Sequence, residues 1–139
     1  GGGGGGWAGG SGIVVIRYTN NQFTTAAVGN LTLVSNAVTA EAQPTKADLV
    51  MTYTNAVGTA TIGTDLVAYV SRDNGATYTT FGLTASSNQG DTGGHTILTA
   101  HDIDISGQPA GSQMRYKITT LNQSASKETR IHAVSLGWS

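Results

Sequence analysis

The chain has 139 residues with 7 basic and 8 acidic side chains, a formal net charge of −1, and only 11% charged residues. That length suits one domain with a core of its own, and so even a balance leaves no electrostatic footprint for nucleic acid or an anionic membrane surface. The absence of cysteine excludes disulfides and thiolate metal sites. No apolar run approaches the ~20 residues of a membrane-spanning helix, and no basic-then-apolar leader is present, so no membrane insertion is expected.

Thr, Ala, Val, Gly, Ser and Asn dominate, and no stretch shows a 3.6-residue apolar period, which is the composition of an all-β chain. The chain starts at Gly1 rather than Met, as a processed product or the end of a longer polypeptide would. Residues 1–25 are expected to form a glycine-rich segment with a lead-in strand, and residues 26–139 a β-domain.

The first 12 residues, GGGGGGWAGGSG, are dominated by glycine with one large apolar side chain, Trp7. Glycine loses more backbone entropy on ordering than any other residue, so a flexible linker is one reading. Polyglycine helices packed side by side, or a bundle ordered by symmetry-related chains, are the others. Gly12–Tyr18, GIVVIRY, reads as a strand buried on both faces. Residues 26–43 carry short alternating runs with Leu31 and Leu33 on one face, and Pro44 marks a break.

From Lys46 the pattern strengthens. Ala47–Asn55 places Leu49, Met51 and Tyr53 on one face of a strand. Thr64–Thr84, TDLVAYVSRDNGATYTTFGLT, reads as a β-hairpin. Leu66, Ala68 and Val70 alternate with Val67, Tyr69 and Ser71; Asp73-Asn74-Gly75 supplies the reversal because Asn and Gly accept the positive φ of a tight turn; Tyr78 and Phe81 begin the return. Ser71–Tyr78 also resembles the Asp-box, Ser-x-Asp-x-Gly-x-Thr followed by an aromatic, found on hairpins of sialidase-like propellers, where it is a folding device. It occurs once here, whereas a propeller repeats its blades every ~40–50 residues. Asp73, Asn74 and Gly75 are therefore read as a structural turn.

Residues 85–94, ASSNQGDTGG, form a polar loop. Beyond it come HTILTAHDIDIS with Ile103 and Ile105 on one face, a turn at Gly107–Gly111 around Pro109, and QMRYKITTLN with Met114, Tyr116 and Ile118 alternating. The last strand, TRIHAVSLGWS, sets Ile131, Ala133, Ser135 and Gly137 against His132, Val134, Leu136 and Trp138. Seven to nine short strands separated by turn signals indicate an antiparallel β-sandwich, with the jelly roll as first choice.

Catalytic constellations are weak. His95, His101, Asp102, Asp104 and His132 are the residue types that zinc, manganese or calcium take, but their spacing forms no HxH or DxDxDG element. The acidic residues offer no obvious pair for glycoside hydrolysis, the serines no GxSxG setting, and the N-terminal glycines precede no helix that would complete a phosphate loop. No enzyme activity and no cofactor are expected. Surface recognition remains, with the large aromatic residues mostly in the core and a minority available to stack on sugars beside the 72–75 turn or the 86–95 loop.

The glycine-rich run leading into GSGIVVIRY, together with PTKADLVMTYTN, DLVAYVSRDNGATYT and GGHTILTAHDIDISGQPAGSQMRYKITTLNQSASKETRIHAVSLGWS, resembles a C-terminal module of glycine-rich tail-fibre and related virion proteins of tailed bacteriophages, particularly marine ones. The resemblance covers about two-thirds of the chain. It implies a homotrimeric, β-rich distal fibre domain, located on the virion among other virion proteins, that attaches to a glycan or protein of the host surface. It carries over no set of functional residues. Arg72, Asp73, Asn74, Tyr78, Asn88, Asp91 and His95, from the 72–78 and 86–95 loops, are the candidate recognition residues, expected to share one exposed tip. A non-tip virion assembly protein (collar, baseplate or capsid decoration) and a subunit of a bacterial extracellular filament or adhesin are the alternatives.

Overall fold

The computed structural model of the chain describes residues 28–85 and 94–139. The glycine-rich segment with Trp7, the GIVVIRY strand and the loop residues Asn88 and Asp91 lie outside the described residues. Nine strands and no helix are present among those described: β1 (Thr32–Val34), β2 (Val38–Thr39), β3 (Lys46–Val57), β4 (Leu66–Ser71), β5 (Thr79–Thr80), β6 (Thr84–Ala85), β7 (Thr96–Asp104), β8 (Gln113–Thr120) and β9 (Glu128–Trp138).

The strands form two antiparallel sheets. One has the order β1-β8-β4-β5, with β2 also on β8, and the other β6-β7-β3-β9. β1 and β2 occupy the same edge of β8 at different heights, since β1 pairs with Lys117–Thr119 and β2 with Gln113–Met114. Ser35 spans the gap. Its amide donates to the Tyr116 carbonyl and its hydroxyl accepts from the Tyr116 amide, each at 3.0 Å, so the ladder continues where the strand does not.

Period-2 alternation puts Leu49, Met51 and Tyr53 of β3 and Leu98 and Ala100 of β7 against Leu66, Ala68 and Val70 of β4 and Met114 and Ile118 of β8. All are buried in one apolar cluster with Phe81 and Ile105, giving a two-layer, sandwich-like arrangement. Each sheet alone would leave this face in water, and removing it from water is the main drive for the layers to close.

Most of the alternation read from sequence holds, and the exceptions have local causes. Leu33 packs on the core, but Leu31 lies outside β1 and is exposed, its amide bonded to the Thr120 hydroxyl. In β9 the pairing slips between Thr52–Ala133 and Tyr53–Ile131, leaving His132 as an extra residue. This β-bulge reverses the alternation. Ile131 therefore joins Val134, Leu136 and Trp138 against the core, where strict period 2 puts it on the other face. A second irregularity, around Asp48, leaves Asp102 with φ 53°.

Candidate functional site

The 72–78 turn is built as the sequence pattern suggests. β4 and β5 pair through Tyr69–Thr80 and Val70–Thr79, while Asn74 (φ 63°) and Gly75 (φ 88°) both occupy the left-handed region. The Ser71 hydroxyl donates to Asp73 Oδ1 at 2.7 Å and accepts from the Gly75 amide at 2.8 Å; Asp73 Oδ1 also accepts from the Thr77 amide at 2.9 Å. Partial burial pushes the Asp73 carboxyl up, but the Ser71 and Thr77 hydrogen bonds outweigh it and hold the group below the usual carboxylate range. Asp73 is thus turned inward to close the loop. The signature residues serve the turn.

Arg72 departs further from the expected surface position. It was expected on the recognition surface, but it is 3% exposed. Its guanidinium donates to the carbonyls of Pro44 (2.7 Å), Pro109 (3.0 Å), Ser106 (2.9 Å) and Gln108. The fork geometry of arginine suits this use, since several donors diverge from one plane. Gln108 completes the knot: its Oε1 accepts from the Arg72 amide, and its Nε2 donates to the Val70 carbonyl and the Thr79 hydroxyl, each within 2.9 Å. The 105–112 loop is thereby sealed over the end of β4. Sequence reading missed Gln108 because nothing in its neighbourhood marks it; only the crossing of β7 to β8 brings it to Arg72, 36 residues away.

Asn74 and Tyr78 remain at the surface. Asn74 is exposed, with its Oδ1 accepting from Arg115 Nε at 2.8 Å, while Arg115 Nη1 reaches the Ser35 carbonyl at 3.0 Å. Tyr78 meets Tyr69 edge to face, with centroids 6.4 Å apart. Lys117 Nζ stands 4.1 Å from one ring centre and 4.3 Å from the other, a cation–π arrangement. These side chains share the outer face of the β1-β8-β4-β5 sheet.

His95 is elsewhere. It stacks on His132, centroids 3.9 Å apart and planes 20° from parallel, and His132 Nε2 is hydrogen-bonded to Thr54 Oγ1 at 2.8 Å. Thr54 belongs to the far end of β3, whereas Arg72 grips Pro44 just before β3 begins. The turn and His95 therefore lie at opposite ends of the strands, and they do not form a shared tip. The cause is topological: β4 and β7 run in the same direction, so Ser71 closes β4 at the end where Asp104 closes β7, and Thr96 opens β7 at the other.

The His and Asp residues of metal-ligating type are dispersed in the same way. His101 Nδ1 is 3.4 Å from Asp48, and Asp102 accepts from Lys46 at 3.1 Å, near the turn end. The stacked His95 and His132 present ring faces to one another, and imidazole ligates through its ring nitrogens. Among the described residues no group of three or more His, Asp or Glu is placed to hold a metal ion.

The Asp65 end has its own polar centre. Asp65, 2% exposed, accepts from Lys127 Nζ (2.7 Å), the Thr61 amide (2.8 Å) and Asn122 Nδ2 (2.8 Å). The Lys127 hydrogen bond, then those of Thr61 and Asn122, drive its carboxyl far below the ordinary carboxylate range. Asp104, back at the turn end, is lowered by its hydrogen bonds to Ser106, with smaller help from the charges of Arg72 and Lys46.

A concave surface does exist at the turn end. It encloses about 320 Å³ between β2, the 40–44 segment and the end of β9, with Trp138 on its wall. No family model matches the chain, and neither a curated protein nor a solved structure matches it.

Proposed function

We propose that the chain is the distal, surface-recognition module of a virion tail fibre, a jelly-roll-like domain that works as a homotrimer beside other virion proteins and attaches the particle to a glycan or protein of the host surface. The observation that supports this reading is the construction of the turn end. There Arg72, Gln108, Ser71 and Asp73 tie the loop inward through short hydrogen bonds, leaving Asn74, Arg115 and Tyr78 fixed on the outside. Recognition loops on a rigid scaffold lose little entropy on binding, and the resemblance of the sequence blocks to fibre modules points the same way. The recognising end is then the turn end alone, without His95.

Adsorption of the cognate virion in the presence of excess isolated domain tests the proposal. The wild-type domain should compete with the particle for its host, and a folded Asn74→Ala, Arg115→Ala variant should compete less well. A domain that neither binds host cells nor slows adsorption would refute it.

One observation favours assembly instead of attachment. β9 is an 11-residue edge strand whose outer side has no strand partner among the described residues, and Ala133–Trp138 carries no charge or proline to discourage pairing. A collar, baseplate or filament subunit would use such an edge. Particles in which this domain is located away from the fibre tip would favour that reading.

A further inference from the structure

The structure assigns a saccharide-binding pocket to the Trp138 end of the molecule: we infer that it takes a single neutral hexopyranose unit, its C–H face on the Trp138 indole and its hydroxyls on Thr39, Glu41 and Gln43. The inference deepens the attachment reading and rests on it only for the biological source of the sugar.

The pocket of about 320 Å³ is lined by Thr39, Glu41, Gln43, Pro44, Trp138 and Ser139, among others. That size lies at the small end of ligand sites, which run from about 300 to 1,000 Å³, and suits a monosaccharide unit better than an extended oligosaccharide. The backbone that frames it is held at both sides before any ligand arrives. Ser139 exchanges backbone hydrogen bonds with Lys46 at 3.0 and 3.1 Å and accepts from the Thr45 amide at 2.8 Å. On the other side Thr39 pairs with Gln113, the Ala40 amide donates to the Ser112 carbonyl at 2.8 Å, and the Pro44 carbonyl is held by Arg72 at 2.7 Å. A preformed cavity loses little conformational entropy on binding.

The lining has the chemistry of a sugar site. Trp138 is only partly buried where it packs against the core, and it lines the cavity, so an aromatic residue anchored in the core borders the pocket. One face of a pyranose ring is made of C–H groups and its rim of hydroxyls; an aromatic wall bordered by mixed donors and acceptors matches both. Glu41 and Gln43 are exposed, and they offer a carboxylate acceptor and an amide that both donates and accepts. The Thr39 hydroxyl already accepts from Gln113 Nε2 at 2.8 Å, which leaves its proton free to donate. Glu41, the only acidic side chain of the lining, disfavours uronic and sialic acids by like charge. Specificity for neutral over acidic sugars follows from Glu41.

The test uses the domain with Trp7→Phe, so that Trp138 supplies the sole indole N–H resonance. It is titrated by NMR with glucose, galactose, mannose, N-acetylglucosamine and glucuronic acid. At least one neutral sugar should shift the Trp138 indole resonance in a saturable manner. Glucuronic acid should bind at least ten-fold more weakly, and Glu41→Ala with Gln43→Ala should weaken the neutral sugar at least ten-fold while the melting temperature stays unchanged. No saturable shift with any neutral sugar up to tens of millimolar, or binding indifferent to the double substitution, overturns the pocket. Host-cell binding by the same double variant separates the two readings. Undiminished cell binding by a variant that has lost the sugar removes the host surface as the source of that sugar and leaves attachment standing; sugar binding by a domain that ignores host cells keeps the pocket and removes attachment; a domain that does neither removes both.

Discussion

Arg72 at one end of the strands and Asp65 at the other are the two buried charges among the described residues, 3% and 2% exposed, and they are satisfied in opposite ways. Arg72 spreads a permanent positive charge over four backbone carbonyls from two segments of chain. Asp65 gathers a titratable negative charge among one amide, one side-chain amide and the Lys127 ammonium. Both close a loop over an open end of the two-sheet core, and burying either charge without partners would be costly. The difference lies in what can undo them. A guanidinium keeps its proton at any ordinary pH, whereas a carboxylate surrenders its hydrogen bonds when protonated. The Asp65 end should therefore open first on acidification, while at the turn end acid acts only through Asp73 and Asp104 and leaves the Arg72 anchor intact.

The largest effect is expected from Arg72→Ala. It strands carbonyls of Pro44, Ser106, Gln108 and Pro109 that have no other partner in the knot, at a cost of about 3–5 kcal/mol, comparable to breaking a buried charged network. Urea unfolding should show a lower midpoint with an unchanged slope. Arg72→Lys should rescue less than half of the loss, because one ammonium cannot span the same carbonyls. Full rescue by lysine would show that charge matters here and the fork does not.

Asp65→Asn comes next, and its signature is a pH profile. The folded carboxyl titrates well below the unfolded value of ~3.9, so its contribution is present above about pH 4 and is lost as the pH falls below that. In the wild type, the melting temperature should decline on acidification from pH 4 downward. The Asn variant should be less stable at pH 7 and show a shallower acid limb, with Asp73 and Asp104, both lowered as well, supplying what remains. An acid limb identical in the two proteins would mean that Asp65 is not what fails.

A smaller loss follows from Gly75→Val. The position needs φ 88°, and a Cβ there would lie 2.9 Å from the Tyr78 hydroxyl; together these should cost about 1–3 kcal/mol. Chemical denaturation that finds no change would place the turn elsewhere. The smallest effect belongs to Lys117→Ala, which removes the cation from both Tyr69 and Tyr78 and should cost about 0.5–1 kcal/mol. It should leave the acid limb untouched, since it lies on the outer face, away from Asp65. A larger loss would mean that Lys117 holds the hairpin to β8.

The hairpin was legible because its signals are local. Alternation from Leu66 to Ser71, the positive-φ residues Asn74 and Gly75, and Ser71 and Asp73 at Asp-box spacing all act within one short stretch of chain, so neighbouring residues define the geometry. Met114 and Ile118, Leu49 and Met51 were legible for the same reason, as period 2 fixes the face of a strand wherever it lies. Ile131 was not, because a bulge at His132 depends on the register against β3, and no residue of TRIHAVSLGWS encodes that by itself.

By itself, then, the sequence determined an all-β chain, most strand positions and the turn at residues 73–75, since side-chain period and turn stereochemistry are short-range properties. Only the tertiary structure decided which residues meet across distance. It buried Arg72 under Gln108, placed His95 on His132 at the opposite end from Asn74, and brought Trp138 beside Glu41 and Gln43. Those pairings follow from strand order and direction, and strand order is settled by how two sheets jointly bury one core.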